Sequence, residues 1–386
     1  WTQQRTIPVI ILILTLLLSL GFWYAHKYYK AYLMKKARYI NPVDYSKLPS
    51  EGLEIGRIAE TKKKAFINPK ELTAHSIVAG STGAGKSVSA SIIAEACLNS
   101  KIPVIVFDPT AQWTGFVKAC KDKDILKKYK QFNMKDPKPF KGLIYEITRP
   151  DEKLSLKEYM HPGEITVFVL NRLTTKEYDA AVVNIINSIF GEEWEESPEL
   201  KLLVVFDEVH RLLKKYGGEK GYLALEQACR EFRKWGIGLV MCSQVTADFK
   251  EAVAGNILTE IQMNTKSMSD IDRISLKYGK DYAAKITKQD IGTGMIQNPR
   301  YNEGKPYFIS FRPPLHSPHK ILDADLNEYM RLTKDIKELE GKIKKLSKDE
   351  RENFELELRL AKDKLKTGRF RVTEIYLEGV RKRVDK

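Results

Sequence analysis

Cysteine is scarce in this chain: four in 386 residues, at Cys97, Cys120, Cys229 and Cys242, with no C-x-x-C spacing among them. That sets aside a disulfide-stapled scaffold and reads as reduced, buried thiols of a cytosolic domain. Internal repeats and extended low-complexity tracts are also missing, so the chain is no repeat array. Proline is absent from Asp323 to Lys366, a highly charged stretch with apolar residues at helical spacing. Acidic charge is outweighed: 65 Lys and Arg against 50 Asp and Glu give a net charge of +15 and a pI near 9.3. Such an excess favours polyanionic partners, nucleic acid or an anionic membrane face, without choosing between them.

Against those absences stands one complete motif. Gly80-Ser81-Thr82-Gly83-Ala84-Gly85-Lys86-Ser87 fits G-x-x-x-x-G-K-[ST] at every position. Ile77-Val78-Ala79 reads as a strand leading in, and Val88 through Leu98 as a helix leading out. In such a loop the glycines turn backbone N–H groups toward phosphates. Lys86 reaches the β/γ-phosphates, Ser87 places its hydroxyl on Mg²⁺, and the helix N-terminus adds positive field. ATP and Mg²⁺ are the implied ligands.

A second landmark lies about 120 residues on. Lys201 to Glu208 is a continuous apolar run ending in two carboxylates, the pattern of a strand buried on both faces. Asp207 would hold Mg²⁺ through water, and Glu208 would polarise the water that attacks the γ-phosphate. Further apolar runs at Ile102–Phe107, Ile165–Leu170, Ile237–Cys242, Glu260–Asn264, Met295–Gln297 and Tyr307–Arg312 alternate with helical segments such as Thr175–Phe190. The pattern predicts an α/β fold, a RecA-like P-loop NTPase domain with a mainly parallel sheet.

Pro8 through Ala25 is almost wholly apolar and is followed by Lys27, Lys30, Lys35, Lys36 and Arg38. This predicts a single transmembrane helix with everything after it cytoplasmic. A cleaved signal peptide is the alternative, but no small-x-small cleavage site follows. The expected organisation is therefore an anchor over 1–26, a basic juxtamembrane linker over 27–51 and the ATPase domain over 52–318. Residues at about 115–160 form a helical insertion, and 319–386 a charged helical C-terminal region.

The ordered motifs resemble the HerA/FtsK superfamily of hexameric translocating ATPases over about Gly52 to Pro314. His75 through Ser87 resembles the family's phosphate loop with its leading histidine. Val106-Phe107-Asp108-Pro109 resembles its Asp-Pro strand, and Phe206 through Leu213 its Mg²⁺ strand and following turn. Arg230 through Gly238 is similar to the segment that donates an arginine to the neighbouring subunit's ATP, with Arg233 the first choice and Arg230 the second. Ser243-Gln244 resembles the polar sensor, which makes Gln244 a candidate for hydrogen-bonding the γ-phosphate or its water.

The chain departs from the pattern after Asp108-Pro109. Many members carry a Gly-Glu pair there, whereas this chain has Thr110-Ala111-Gln112-Trp113. The carboxylate has become an amide, leaving Glu208 as the candidate base. The β-barrel that precedes the motor in soluble HerA proteins reads as absent or reduced; a membrane segment takes its place, as in FtsK and conjugative coupling ATPases and most similar to the CedB-like ATPases of archaeal DNA import. The resemblance implies a membrane-anchored homo-hexamer that moves DNA through its centre, alongside an integral membrane channel protein.

Lys214, Lys215 and Lys220 around Gly217-Gly218 are the candidate DNA contacts, suited to phosphates without reading bases; an ordinary solvated turn is the alternative. Two other readings stay open. The same motor residues would serve an ATPase that moves protein in secretion or pilus assembly. Asp207-Glu208-Val209-His210 also fits the D-E-x-H box of a two-lobed helicase, which needs a second lobe of roughly 150 residues.

Overall fold

Alternating apolar runs and helices become a layered α/β unit over Asp44–Lys386, separate from the compact unit Trp1–Val43. The computed structural model describes residues 14–29, 39, 43–213, 218–246, 249, 251–346 and 348–384. Eleven strands form one sheet: β1 (Leu53–Ile58), β2 (Lys64–Ile67), β3 (Ser76–Ala79), β4 (Val104–Asp108), β5 (Gly142–Glu146) and β6 (Ile165–Val169), then β7 (Leu202–Phe206), β8 (Ile237–Ser243), β9 (Thr259–Gln262), β10 (Thr293–Gln297) and β11 (Tyr307–Phe311). Their order is β2-β1-β11-β10-β9-β3-β8-β7-β4-β6-β5. From β9 to β5 every pair is parallel; from β9 back to β2 every pair is antiparallel.

β3, β4, β6, β7 and β8 are buried at every position. Helices cover both faces of such strands, which is why their sequences read as unbroken apolar runs. Nine helices matter for the argument: α1 (Lys86–Asn99), α2 (Lys123–Tyr129), α3 (Thr175–Phe190), α4 (Lys220–Glu231), α5 (Met268–Tyr278), α6 (Lys280–Ile286), α7 (Asp323–Ile343), α8 (Lys348–Leu365) and α9 (Phe370–Val384). In α3, Thr174 and Glu177 form a reciprocal capping box, and the buried stripe Tyr178, Ala181, Val182, Ile185, Ile186 and Ile189 faces the core.

One expectation changes here. The stretch read as a helical insertion contains α2 but also β5, the edge strand beyond β6. The charged C-terminal region consists of α7, α8 and α9, of which α7 packs on that edge. Tyr329 of α7 is fully buried and its hydroxyl accepts from the Ile144 N–H at 3.0 Å, while Gly142 N–H donates to the Lys366 carbonyl at 2.9 Å. Covering an open edge removes a template for unwanted strand pairing.

The membrane reading is corrected. The helix described over residues 14–29 carries His26 and Lys27. No helix among the described residues is long and apolar enough to cross a membrane. The single-pass anchor over Pro8–Ala25 and the membrane localisation drawn from it therefore do not stand. Residues 8–13 of that run lie outside the described residues.

One buried ionic cluster fastens the end of the sheet to α1. Glu95, fully buried in mid-helix, pairs with Arg312, accepts from the backbone N–H groups of Leu315 (2.6 Å) and His316 (3.0 Å), and lies 2.6 Å from His316 Nδ1. Burial alone would raise its carboxyl, but Arg312 and the His316 contacts outweigh it and hold the pKa near 2. A depressed carboxylate contributes stability that is complete above its ordinary value of 4.5 and is lost as pH falls towards 2. Glu95→Ala, which strands a buried guanidinium, should cost about 3–5 kcal/mol in urea unfolding at pH 7. A change below about 1 kcal/mol, the range of exposed pairs, would show the cluster to be solvated.

Candidate functional site

The site forms where the parallel strands end. β3 runs between β8 and β9, and its C-terminal end releases the loop Gly80–Gly85 into α1. Gly80 is required by close approach: a Cβ there would stand 2.7 Å from Met263 Cβ and 2.9 Å from the Asn264 carbonyl. Gly85, at φ +93, turns the chain into the helix in a conformation side chains resist. Ser81 N–H donates to the Asn264 carbonyl at 2.8 Å, and Lys266 N–H donates to Ser81 Oγ at 3.0 Å, fixing the loop to the segment after β9.

β7 delivers Asp207 to the same place. Ser87 Oγ donates to Asp207 Oδ2 at 3.2 Å, so the residues proposed for Mg²⁺ meet although 120 residues apart. Asp207 also accepts from Trp113 Nε1 at 2.9 Å and from the Glu208 N–H at 3.0 Å. Trp113, buried and absent from the predicted set, lies in the run after Asp108-Pro109; that position carried the only signal for it. Asp108 accepts from Thr110 and Trp113 through its own carboxylate at 2.7–2.8 Å. Burial raises the Asp108 carboxyl to about 6, and the neighbouring Asp207 charge adds to the rise. Burial raises Asp207 as well, against the Trp113 hydrogen bond.

Two crowded, proton-hungry carboxylates beside a serine hydroxyl suit a divalent cation, whose charge favours their ionised forms. Among the described residues no three His, Cys, Asp or Glu converge as a cage. Mg²⁺ needs none, because it is held through one or two protein groups plus substrate phosphates and water. Ser87 and Asp207 are the groups that fit it.

Glu208 turns off β7 in a left-handed conformation, φ 52° and ψ 41°. A non-glycine residue there is strained by roughly 1 kcal/mol or more, and such strain gathers at functional sites. Its Oε2 lies 3.1 Å from His210 Nδ1 and 3.4 Å from Gln244 Nε2. Gln244 follows directly on β8, which brings its amide within reach of Glu208. His210 joins them unpredicted, although the run Phe206–Leu213 contained it.

Arg233 stands elsewhere. It is exposed, on the turn Phe232–Trp235 that precedes β8. Since Ala79 pairs with Ser243 at the far end of β8, about 20 Å of strand separates that turn from the phosphate loop. Buried His75 fixes the turn. Its Nδ1 accepts from the Leu239 N–H at 3.1 Å, and its Nε2 donates to the Cys229 carbonyl at 3.0 Å. Burial keeps the ring neutral, with a pKa near 4, and the Arg233 charge pushes the same way. Arg230, on α4, is exposed and pairs with Glu226 at 3.1 Å. Lys220 opens α4, whose first N–H groups are capped by the Asp179 carboxylate. Lys214 and Lys215 lie outside the described residues.

Residues 53–161 match the family described as helicase HerA, central domain. The match takes in the phosphate loop, Asp108 and Trp113, and ends before Asp207. Curated protein sequences give no significant match. Among solved structures, the genome packaging NTPase B204 of Sulfolobus turreted icosahedral virus 2 is 15% identical, over 63% of this chain and 97% of its own, with a TM-score of 0.38. VirB4 of Thermoanaerobacter pseudethanolicus is 12% identical over 70% and 98%, at 0.47, and the pCW3 conjugation coupling protein TcpA is 15% identical over 72% and 70%, at 0.40. None reaches 0.5, so the assignment rests on the matched segment and on the chain's own residues. By these, the chain carries a P-loop ATPase domain, part of which is similar to the central domain of helicase HerA.

Proposed function

We propose that this chain is a ring-forming ATPase that couples ATP hydrolysis to movement of DNA. The observation behind this reading is the placement of Arg233 relative to the phosphate loop. Lys86, Ser87, Asp207, Glu208 and Gln244 gather at one end of the parallel strands, while Arg233 projects from the opposite end. A guanidinium placed so is out of reach of its own chain's phosphates; supplied to a neighbouring copy's triphosphate, and repeated head to tail, the contact would close a ring. Gly80–Ser87 would bind the phosphates, Ser87 and Asp207 the Mg²⁺, and Glu208 would orient water under the reach of Gln244. Mg²⁺ would neutralise charge developing on the phosphoryl oxygens.

DNA is favoured as the moving substrate by the net charge of +15. The narrower reading, DNA import through a membrane channel protein, has only the motif resemblance behind it. Protein movement remains the second reading, since the hydrolytic residues would be the same.

Duplex or single-stranded DNA should stimulate hydrolysis, and the logarithm of the DNA affinity should fall linearly with log salt, with a slope of roughly 0.7–0.9 per phosphate contacted. Replacing Lys214, Lys215 and Lys220 together by alanine should flatten that slope by about two to three contacts. Hydrolysis indifferent to both forms of DNA would point to a protein substrate. An unchanged slope would remove these lysines from the DNA path.

A further inference from the structure

His75 is fully buried immediately before β3, the strand whose far end releases the phosphate loop. Its backbone is held from both sides. Its N–H donates to the Leu72 carbonyl at 3.1 Å, and its carbonyl accepts from the Leu258 and Thr259 N–H groups at 3.2 and 3.3 Å. It also sits in the left-handed region at φ +60, a conformation that is costly without glycine and that histidine adopts more often than most residues.

From this fixed base the ring reaches two separate elements. Nε2 donates to the Cys229 carbonyl in the last turn of α4, and Nδ1 accepts from the Leu239 N–H inside β8. Between those two points lies the whole segment Arg230–Gly238, with Arg233 on its turn. One imidazole therefore clamps both ends of the piece of chain that carries the guanidinium. Burial favours the neutral ring, and a neutral ring is the form that donates and accepts at once.

The three cations of that segment are held differently. Arg230 pairs with Glu226 and Lys234 with Glu231, whereas Arg233 has no ion pair among the described residues. No carboxylate of its own chain fixes the tip of Arg233, so the backbone beneath it sets where the side chain starts and which way it leaves. We infer that His75 is the positioning residue for Arg233, holding the turn that presents this arginine to a neighbouring copy's triphosphate. This rests on the reading of Arg233 as an arginine supplied between copies. Because the clamp stands at the opposite end of β3 from Gly80–Ser87, its loss should damage the neighbour's site and spare the chain's own.

The test uses the full chain with His75→Phe, which keeps a flat ring and loses both hydrogen bonds. ATP binding should match the wild type, and turnover should fall roughly 10²-fold, the scale of misplacing a catalytic group by about 1 Å. Mixing then locates the defect. His75→Phe subunits combined with Glu208→Gln subunits should regain turnover, because an intact Glu208 from the first meets a well-placed Arg233 from the second. Combined with Arg233→Ala subunits they should stay inactive. His75→Asn keeps an acceptor for the Leu239 N–H and tolerates the left-handed backbone, so it should recover part of the lost turnover. It also carries the same mixing comparison should His75→Phe not fold. Lost ATP affinity in the His75 variants, or turnover equal to the wild type, would overturn the positioning role. So would a His75 variant that fails to recover with Glu208→Gln where Arg233→Ala does recover. If Arg233→Ala mixed with Glu208→Gln stays inactive as well, the exchange of an arginine between copies fails, and the role of His75 with it.

Discussion

Glu208→Gln should bind ATP as tightly as the wild type and hydrolyse it roughly 10²–10⁴-fold more slowly, the usual worth of a positioned general base. The substitution keeps the size and the hydrogen-bonding oxygen of the side chain, so the contact with Gln244 at 3.4 Å can persist. It removes only the negative charge that polarises water. Asp207, Ser87 and Trp113 are untouched, which separates the metal ligands from the base. Phosphate release under saturating ATP measures the chemical step, and titration with a fluorescent ATP analogue measures binding. A loss smaller than tenfold would move the base elsewhere. It cannot move to Gln112, where this chain has an amide, and the neighbours left to test would be Asp108 and His210.

The sequence exposed the nucleotide site because the relevant signals are local. A phosphate loop occupies eight consecutive residues, and β3, β4, β6, β7 and β8, buried on both faces, announce themselves as apolar runs. Gln244 was readable for the same reason: it follows the last residue of a conspicuous strand. Contacts between distant segments were not readable. Trp113 reaches Asp207 across 94 residues and Glu95 reaches Arg312 across 217, so each residue alone looked like an ordinary aromatic or helical glutamate. β5 was hidden by its position. As an edge strand covered by α7 it is only partly buried, and it sits in a Lys-rich stretch that lacks the pattern of a core strand. The N-terminal segment shows the opposite failure. An apolar run of sufficient length predicted a span, yet no helix among the described residues is long and apolar enough to cross a membrane.

Arg233→Ala should retain ATP binding and lose roughly 10³–10⁵ in turnover, the scale of an arginine supplied to a transferring phosphoryl group. In one copy the side chain stands about a strand length from Lys86, so a local structural effect of its removal would be small and surface-like. The distinctive result comes from mixing. Arg233→Ala subunits keep an intact Glu208, and Glu208→Gln subunits keep an intact Arg233; each preparation alone should be nearly inactive. Combined, they create interfaces in which Glu208 from one copy faces Arg233 from the next, and turnover should return at a fraction of those sites. Wild-type turnover should fall on dilution as the assembly dissociates. Arg230→Ala should matter little, because that guanidinium pairs with Glu226 on its own helix. A wild type that turns over at full rate as a monomer, and a double variant lacking Arg233 and Arg230 that matches it, would confine catalysis to one chain. The strand-length gap between Arg233 and the phosphate loop would then have no catalytic meaning.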